Sequence, residues 1–473
     1  MNKTATKLEP TVKQSVDKRK NANIYKAIWR WHFYAGVFFA PLLIFLTITG
    51  GIYLFKPQIE DFIYHDLYYV DEQEQTVSVN KQINEVKEQY PNASINSFTP
   101  SYQGDKSSVI GITKNGKSMS VYVNPYDASI KGSINENERF MAFVLDLHNG
   151  KLWGGTLGNR LVELAACWAI ILVLSGVYLW WPRNRKSLFG TVLPRIISFR
   201  GKRMFWRDMH AVTAFWLSIF IIIQLLSGLM WSDVWGSMAN RAIASTGEGS
   251  PVGDSPWESY AFPSSTIPTK EVADVPWAAE NMRVPESNNN HTATIPIQEV
   301  IQTAENNQIN PGYQIVFPQT EQGVYTIFLD PAKVFPNRPN PWTQQTLHLD
   351  QYSGEILASY GWEDYGILGK MVSLGISFHQ GEFGFFSQIC MLALVIGILL
   401  IAISGMVMWW KRKPEGKLGA PSLPKDFKLL KGLTVIVIAL GIFFPLTGIS
   451  LLLIWIIDYL IIRRISRAKQ WLG

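Results

Sequence analysis

The sequence predicts an α-helical membrane bundle with two small α+β modules outside the membrane. The bundle is expected to hold four core transmembrane helices that arose by a parallel duplication, followed by a C-terminal hydrophobic segment. Three observations predict this class. They are long uncharged runs, basic residues at the ends of those runs, and matching motifs in the two halves of the chain.

Four apolar runs are long enough to cross a bilayer, because a helix of about 20 residues spans a hydrocarbon core of about 30 Å. They are Phe33–Phe55, Leu161–Trp181, Ala211–Trp231 and Phe385–Trp410. The first run is too long for a cleaved signal peptide. A fifth stretch, Gly432–Ile462, has 31 residues, which is long for one crossing and short for two. Pro445 and Gly448 near its middle allow either a kink or the tip of a short hairpin.

The basic residues define a topology. Of the 43 Lys and Arg residues, 27 lie beside the ends of apolar runs, in residues 1–30, 181–210, 411–431 and from 463 onward. Positive charge flanking a span marks the cytoplasmic side. We therefore expect a cytoplasmic N-terminus, a bacterial inner-membrane location, and two external segments near 56–150 and 232–380. The net charge of +6 is explained by topology and gives no indication of nucleic-acid binding.

The expected division of the chain alternates between membrane spans, cytoplasmic segments and external modules. It is 1–30, cytoplasmic; 31–55, first span; 56–150, first external module; 151–182, second span; 183–208, basic loop; 209–231, third span; 232–380, second external module with an irregular insertion; 381–410, fourth span; 411–431, basic loop; and 432–473, hydrophobic segment and basic tail.

The spans repeat. His32 opens the first span and Gly50 lies 18 residues later, and His210 and Gly228 have the same spacing in the third span. His148 and His379 each precede a span that ends in matching pairs, Ser175-Gly176 with Trp180-Trp181 and Ser404-Gly405 with Trp409-Trp410, at an offset of 229 residues. Each copy crosses the membrane twice, so the two halves should be related by a pseudo-twofold axis along the membrane normal.

The external segments show a second repeat. Alternating residues bounded by turn residues predict a small antiparallel sheet with one packed helix in each copy. The first copy has a helix at Asn80–Tyr90 and strands at Ile95–Phe98, Val109–Thr113 and Ser118–Asn124; the second has a helix at Pro296–Ala304 and strands at Tyr313–Phe317, Gly323–Leu329 and Gln344–Asp350. Ser245–Asn290, rich in Ser and Pro, is expected to be an irregular loop.

Four histidines in repeat-matched positions suggest haem. Imidazole is the common axial ligand of haem iron, and ionisable groups at the membrane are usually functional. His32 and His210 should form one pair near the cytoplasmic surface, and His148 and His379 a second pair near the external surface. Two b-type haems are therefore expected, with the pairs binding their iron atoms. The alternative is that these histidines only anchor the helix ends at the membrane interface.

Four glycines lie at the level of these pairs. Eighteen residues make five helical turns, so Gly50 and Gly228 should face the external pair, and Gly176 and Gly405 the cytoplasmic pair. A residue without a side chain leaves room for a flat macrocycle, although the glycines taken alone are better explained by ordinary packing of small residues between membrane helices.

The remaining candidates have simpler interpretations. The unpaired His65, His291 and His348 are expected on surfaces or in loops, and Cys167 and Cys390 as buried inert thiols. No spacing typical of a zinc site occurs, and no catalytic acid or base can be named from the sequence.

The motifs together resemble the PepSY-associated transmembrane helix proteins, also called iron-regulated membrane proteins. The resemblance covers most of the chain: the histidine-led spans, the Ser-Gly and Trp-Trp pairs, and the V-x-V-N-P-Y and L-x-L-D-x-Y-S-G-E-I turns of two PepSY modules. It implies a haem-containing reductase of the cytoplasmic membrane that reduces ferric siderophores in the periplasm, with His32, His148, His210 and His379 as the haem ligands. Quinol and a cytoplasmic reductase both remain possible electron donors.

Two other classes of function are weighed against this one. A membrane-anchored PepSY module that binds or regulates a partner would have no reason to keep histidines in register in both copies. A transporter is also compatible with parallel repeats, but the spans contain few charged residues and none of the four is broken.

Overall fold

The chain folds into two compact units. The computed structural model describes residues 8–182, 191–195, 202–246, 265–288, 293–331, 334, 340–422, 431–462 and 464–472. Met1–Gly51, His148–Ser237 and Leu392–Gly473 form the first unit, here called the helical unit. Ile52–Leu147 and Met238–Met391 form the second, the sheet unit.

The α-helices have the following bounds: α1, Leu8–Tyr53; α2, Lys56–Ile63; α3, His65–Tyr68; α4, Val79–Gln89; α5, Phe140–His148; α6, Thr156–Trp180; α7, Lys202–Leu229; α8, Trp235–Ser245; α9, Ile297–Asn306; α10, Ile367–Gln380; α11, Phe385–Arg412; α12, Lys431–Phe443; α13, Pro445–Ile457; and α14, Ser466–Leu472. Within the described residues, five stretches are long and apolar enough to cross a membrane: Asn23–Tyr53, Thr156–Trp180, Arg203–Leu229, Phe385–Arg412 and Pro445–Ile462. The four predicted spans are therefore confirmed as helices.

The four core helices α1, α6, α7 and α11 contact one another in a ring. Aromatic stacking joins two of the helix pairs, and a glycine on one helix facing an aliphatic side chain on the next joins the other two. Close packing through small and apolar residues is typical of membrane bundles. The contacts are Phe39 with Trp168 (α1–α6), Trp180 with Phe215 (α6–α7), Leu217 with Gly397 (α7–α11) and Val395 with Gly51 (α11–α1).

The C-terminal apolar stretch is a helical hairpin. Phe444 separates α12 from α13, and a Cβ atom built on Gly448 would lie 2.6 Å from the carbonyl oxygen of Gly441. Residues seven apart in one straight helix would be about 10 Å apart, so the chain reverses between them. The Trp168 indole of α6 donates to Ser450 Oγ at 3.1 Å, which fixes α13 against the core helices.

The sheet unit contains one antiparallel sheet of eight strands: β1, Ser94–Thr99; β2, Ser108–Lys114; β3, Lys117–Val123; β4, Ile130–Asn135; β5, Gln314–Val316; β6, Val324–Leu329; β7, Gln345–Asp350; and β8, Ile356–Gly361. The strand order is β4-β3-β2-β1-β5-β6-β7-β8. The structure therefore differs from the expected two separate sheets. Each predicted group of three strands has a fourth strand at its outer edge, and β1 pairs with β5 to join the groups.

Two amphipathic helices supply the core of this sheet. Ile83 and Val86 of α4, and Val300 and Ala304 of α9, are buried against the inner face of the strands. Helical spacing places these residues on one side of each helix. The predicted helices Asn80–Tyr90 and Pro296–Ala304 thus correspond to α4 and α9, with ends that differ by one or two residues.

The burial predicted for two residues, His348 and Cys390, is wrong. His348, expected on a surface or in a loop, lies in β7 and is fully buried; its Nδ1 bonds Thr326 Oγ1 at 3.0 Å and its Nε2 bonds Tyr360 Oη at 2.9 Å. These two bonds compensate for the removal of both ring nitrogens from water. Cys390 is exposed on α11, whereas Cys167 is buried as expected. His65 is exposed, and His291 lies outside the described residues.

The buried His348 makes the stability of the sheet unit depend on pH. Burial lowers the pKa of His348 to about 3, whereas a histidine in an unfolded chain has a pKa of about 6.5. As pH falls below about 6.5, the unfolded state binds the proton first, so stability present at neutral pH is progressively lost toward about pH 3. Hydrogen exchange of β7 in the full-length protein, corrected for the intrinsic exchange rate at each pH, should show lower protection factors at pH 5 than at pH 7. The loss of protection should be smaller in His348→Gln, and an equal loss in the variant would contradict this origin.

Candidate functional site

Two of the four repeat-matched histidines meet inside the helical unit. His32 on α1 and His210 on α7 have ring centroids 6.2 Å apart and ring planes inclined by 81°. An imidazole nitrogen binds a first-row metal ion at about 2 Å, so two imidazoles on one ion have centroids about 6 Å apart. The separation of these rings therefore matches that of two axial ligands of a single ion.

Hydrogen bonding fixes the proton position on His32. Its Nδ1 lies 2.9 Å from Ser175 Oγ on α6, and that hydroxyl donates its own proton to the carbonyl oxygen of Leu172 at 3.2 Å. Because the hydroxyl proton is already used, Nδ1 of His32 is the donor. Nε2 then carries the lone pair, which is the state that a metal ligand requires.

His210 reaches the same state by another route. Its Nδ1 lies 2.9 Å from the main-chain carbonyl oxygen of Ile401 on α11. A carbonyl oxygen only accepts, so Nδ1 must carry the proton and Nε2 the lone pair. The two histidines of the pair therefore have the same tautomer, in which Nε2 is unprotonated on each ring.

His148 repeats this arrangement at the other end of α1. Its Nδ1 lies 3.0 Å from Thr49 Oγ1, and the Thr49 hydroxyl is itself within 3.1 Å of the carbonyl oxygens of Phe45 and Leu46. His148 therefore also donates through Nδ1. Since Thr49 follows His32 by 17 residues on one helix, the two histidines are separated by about 26 Å along α1, close to the thickness of a hydrocarbon core.

The buried His348 provides an internal comparison. Both of its ring nitrogens are hydrogen-bonded, to Thr326 and Tyr360, so it has no lone pair to offer. Among the described residues, no hydrogen bond reaches Nε2 of His32, His148 or His210. His348 therefore stabilises a core through both ring nitrogens, whereas the other three histidines each keep one nitrogen without a hydrogen bond to any described residue.

Glycines contact the ring edges of the same three histidines. A Cβ atom on Gly176 would lie 3.3 Å from Cε1 of His32, one on Gly405 3.3 Å from Cε1 of His210, and one on Gly50 3.0 Å from Cε1 of His148. Each glycine therefore leaves room for an imidazole, whereas the sequence suggested room for a macrocycle. Gly228 lies in the last turn of α7, and its role stays a prediction.

The fourth histidine, His379, is half-buried in the last turn of α10, which ends at Gly381 in the left-handed conformation (φ 69°). It belongs to the sheet unit, whereas His148 belongs to the helical unit. The pairing of His148 with His379 therefore stays a prediction, and the pair that the structure brings together is His32 with His210.

The helix that ends in His148 is anchored at its start. Arg139, which precedes α5, donates to Glu136 at 2.6 Å, to the hydroxyl of Tyr122 at 2.7 Å and to that of Tyr68 at 3.1 Å. Burial raises the pKa of both tyrosines, so their hydroxyls remain neutral and can accept these bonds. This network holds the start of α5 against β3 and α3.

Charge close to the histidine pair is neutralised locally. Asp208, two residues before His210, is 2 % exposed, and its carboxylate accepts from Arg195 at 2.9 Å and from Arg207 at 2.6 Å.

On α6, the buried carboxylate of Glu163 accepts from the main-chain N–H groups of Val234 and Trp235 at 2.8 and 3.0 Å. Glu163 therefore caps the start of α8, a structural role that the sequence did not reveal.

The donor set suits haem better than a bare metal ion. Among the described residues, no group of three or more His, Cys, Asp and Glu side chains is placed to hold a metal. Two imidazoles supply only the two axial positions of an octahedral ion, and a porphyrin supplies the other four.

The sequence analysis did not identify the Ser175 and Thr49 hydroxyls as hydrogen-bond partners of the histidine rings. The recurring Ser/Thr-Gly pairs were the signal that could have revealed them.

Comparison with known families decides the relationship of the chain. The family described as PepSY-associated TM region matches residues 29–412, which include α1 from residue 29 onward, the other three core helices and the whole of the sheet. The chain belongs to this family. It is therefore a multi-pass membrane protein, and membership of the PepSY-associated TM family indicates one of the iron-regulated type. A search of curated proteins finds no match.

Gly50→Ala should destabilise the helical unit. The added methyl group would lie 3.0 Å from Cε1 of His148, and such overpacking typically costs about 1–3 kcal/mol. Gly36→Ala, on the same helix, is the matched control because its methyl group would lie 3.9 Å from Leu172, and it gains up to about 1 kcal/mol in helix propensity. Thermal unfolding in detergent should place the midpoint of Gly50→Ala below that of Gly36→Ala; equal midpoints would mean that the ring does not occupy this position.

Proposed function

We propose that the chain is a haem-containing reductase of the bacterial inner membrane that passes electrons across the membrane to ferric siderophores in the periplasm and so releases Fe(II). The observation that carries this proposal is the His32–His210 pair, with ring centroids 6.2 Å apart and Nδ1 of each ring engaged in a hydrogen bond. Family membership supports the connection with iron.

The haem would be of the b type, since the ligands are two imidazoles and the two free cysteines lie far from them in sequence. His32 and His210 would hold one haem, and His148 and His379 a second. Bound haem iron supplies one-electron transfer between its ferric and ferrous states. The residues of the chain hold the ligands, orient their rings and exclude water.

The distribution of basic residues supports the direction of transfer. Lys and Arg residues cluster near the N-terminus and in the loops after α6 and α11, which favours a cytoplasmic N-terminus. With that orientation, the His32–His210 pair lies near the cytoplasmic surface and His148 near the periplasmic surface. With the same orientation, the segments that form the sheet unit lie on the periplasmic side, where ferric siderophores are bound.

The substrate chemistry requires little from the protein beyond an electron and a docking surface. Siderophores bind Fe(III) through hard oxygen donors and hold Fe(II) much more weakly, so reduction is sufficient for release. No acid–base pair is needed, which agrees with the lack of a catalytic motif in the sequence. Both quinol and a cytoplasmic reductase are compatible with the proposal as electron donors.

The alternative is a membrane-anchored PepSY module that binds or regulates a partner and has no redox activity. The continuous eight-stranded sheet favours this alternative, because a sheet of that size can bind a partner without any cofactor. The three bare Nε2 atoms count against it, since an anchor gains nothing from them.

Electron transfer to a ferric chelate tests the proposal directly. The full-length protein in lipid nanodiscs, reduced with dithionite and freed of excess reductant without oxygen, should reduce a ferric trihydroxamate. A ferrous chelator would then record the Fe(II) released. His32→Ala, which removes one proposed axial ligand, should lower the yield of Fe(II) per chain at least several-fold.

His65→Ala is the control, because His65 is exposed and stacks only on Tyr69 in the sheet unit. It should retain the yield of the native protein. Native protein that carries haem and releases no Fe(II) from either a trihydroxamate or a triscatecholate would contradict the proposed substrate. Equal yields from His32→Ala and His65→Ala would contradict the proposed ligand.

A further inference from the structure

The two histidines of the pair differ in what accepts their Nδ1 proton. His32 donates to the hydroxyl of Ser175, with the main chain of Leu172 as a second partner, whereas His210 donates to the main-chain carbonyl of Ile401 and, within the described part of the chain, has no bond to a serine hydroxyl. His148 resembles His32, because it donates to the hydroxyl of Thr49. The difference is not one of sequence, since Ser404 occupies the position on α11 that Ser175 occupies on α6.

The difference arises from how each serine uses its single proton and its oxygen. Ser175 Oγ donates to the carbonyl of Leu172 at 3.2 Å and accepts from His32 with its oxygen. Ser404 Oγ donates to the carbonyl of Ile401 at 3.0 Å, and that same carbonyl also receives the proton of His210. The Ser175 hydroxyl therefore links the His32 ring to the main chain of α6. The Ser404 hydroxyl makes no such link, because it and His210 bond the same carbonyl oxygen separately.

The neighbouring glycine completes the support of each ring. Gly176 lies against Cε1 of His32, next to the nitrogen that Ser175 binds, so the ring is held at two adjacent atoms. Gly405 contacts Cε1 and Nδ1 of His210 in the same way. Since both rings have this glycine contact, the serine hydroxyl is what distinguishes them.

We propose that Ser175 is a positioning residue for His32, whose hydroxyl sets the orientation and the electron-donating strength of that imidazole, and that Ser404 has no such role for His210. This inference rests on the proposed function, in which both rings bind one haem iron. A hydrogen bond from Nδ1–H raises the basicity of the ligating nitrogen and fixes the plane of the ring.

The inclination of 81° between the rings gives the inference a spectroscopic consequence. The ferric electron paramagnetic resonance spectrum of a haem with two imidazole ligands depends on the angle between the ligand planes. Releasing His32 from Ser175 lets its plane rotate, which changes that spectrum. Weaker electron donation to the iron also favours the ferrous state, so the midpoint potential rises.

Ser175→Ala and its matched control Ser404→Ala test the inference in full-length protein in nanodiscs. We expect Ser175→Ala to change the ferric resonance of one haem and to shift its midpoint potential upward. Ser404→Ala should leave both quantities unchanged, and Ser175→Thr, which restores a hydroxyl, should return them toward the native values. Loss of haem from Ser175→Ala but not from Ser404→Ala would support the same role.

Equal shifts in the two alanine variants, or no shift in Ser175→Ala, would overturn the inference. A native preparation without haem would instead refute the proposed function. In that case the ¹⁵N resonances of His32 in haem-free protein still test the contact with Ser175. A smaller population of the tautomer with the proton on Nδ1 in Ser175→Ala than in the native protein supports the contact. An unchanged population refutes it.

Discussion

The hydrogen bond at Nδ1 of a histidine is the constraint on which the proposed site depends. In His32, His148 and His210, an oxygen atom on a neighbouring helix accepts the Nδ1 proton and leaves Nε2 bare. An imidazole nitrogen between membrane helices is costly to leave without water or a ligand to satisfy it. In the proposed function, the bond that positions each ring also leaves Nε2 available to a metal, whereas His348, bonded at both nitrogens, stabilises a sheet.

Small residues in the bundle support these bonds, and the two halves of the bundle also differ in how their helices pack. Glycines next to the accepting serines and threonine let the imidazole edges approach the partner helix closely. At the level between the two ends of α1, Phe39 stacks on Trp168 in the first half of the chain, and the indole of Trp168 also binds Ser450 in the C-terminal hairpin. The corresponding contact in the second half is between Leu217 and Gly397, and there the hairpin instead meets Trp235, whose ring lies 5.9 Å from that of Phe443.

The sequence predicted features that depend on local periodicity. Hydropathy located the four core helices, and the 18-residue spacing from His32 to Gly50 placed the histidines at the ends of a common helix face. It did not predict features that depend on contacts between distant segments. The pairing of β1 with β5 joins residues more than 200 positions apart, and the burial of His348 depends on Tyr360 and Thr326 from neighbouring strands. The role of Ser175 was hidden for the same reason, since its partner is on another helix.

The central claim is that His32 and His210 bind one haem iron. The most direct measurement is the haem-to-protein ratio and the dithionite-reduced absorption spectrum of protein purified from haem-replete cells, compared with those of His210→Ala. The account predicts a sharp α band of low-spin b-type haem in the native protein and the loss of one haem per chain in the variant. A colourless native preparation, or a variant with the native haem content, would contradict it.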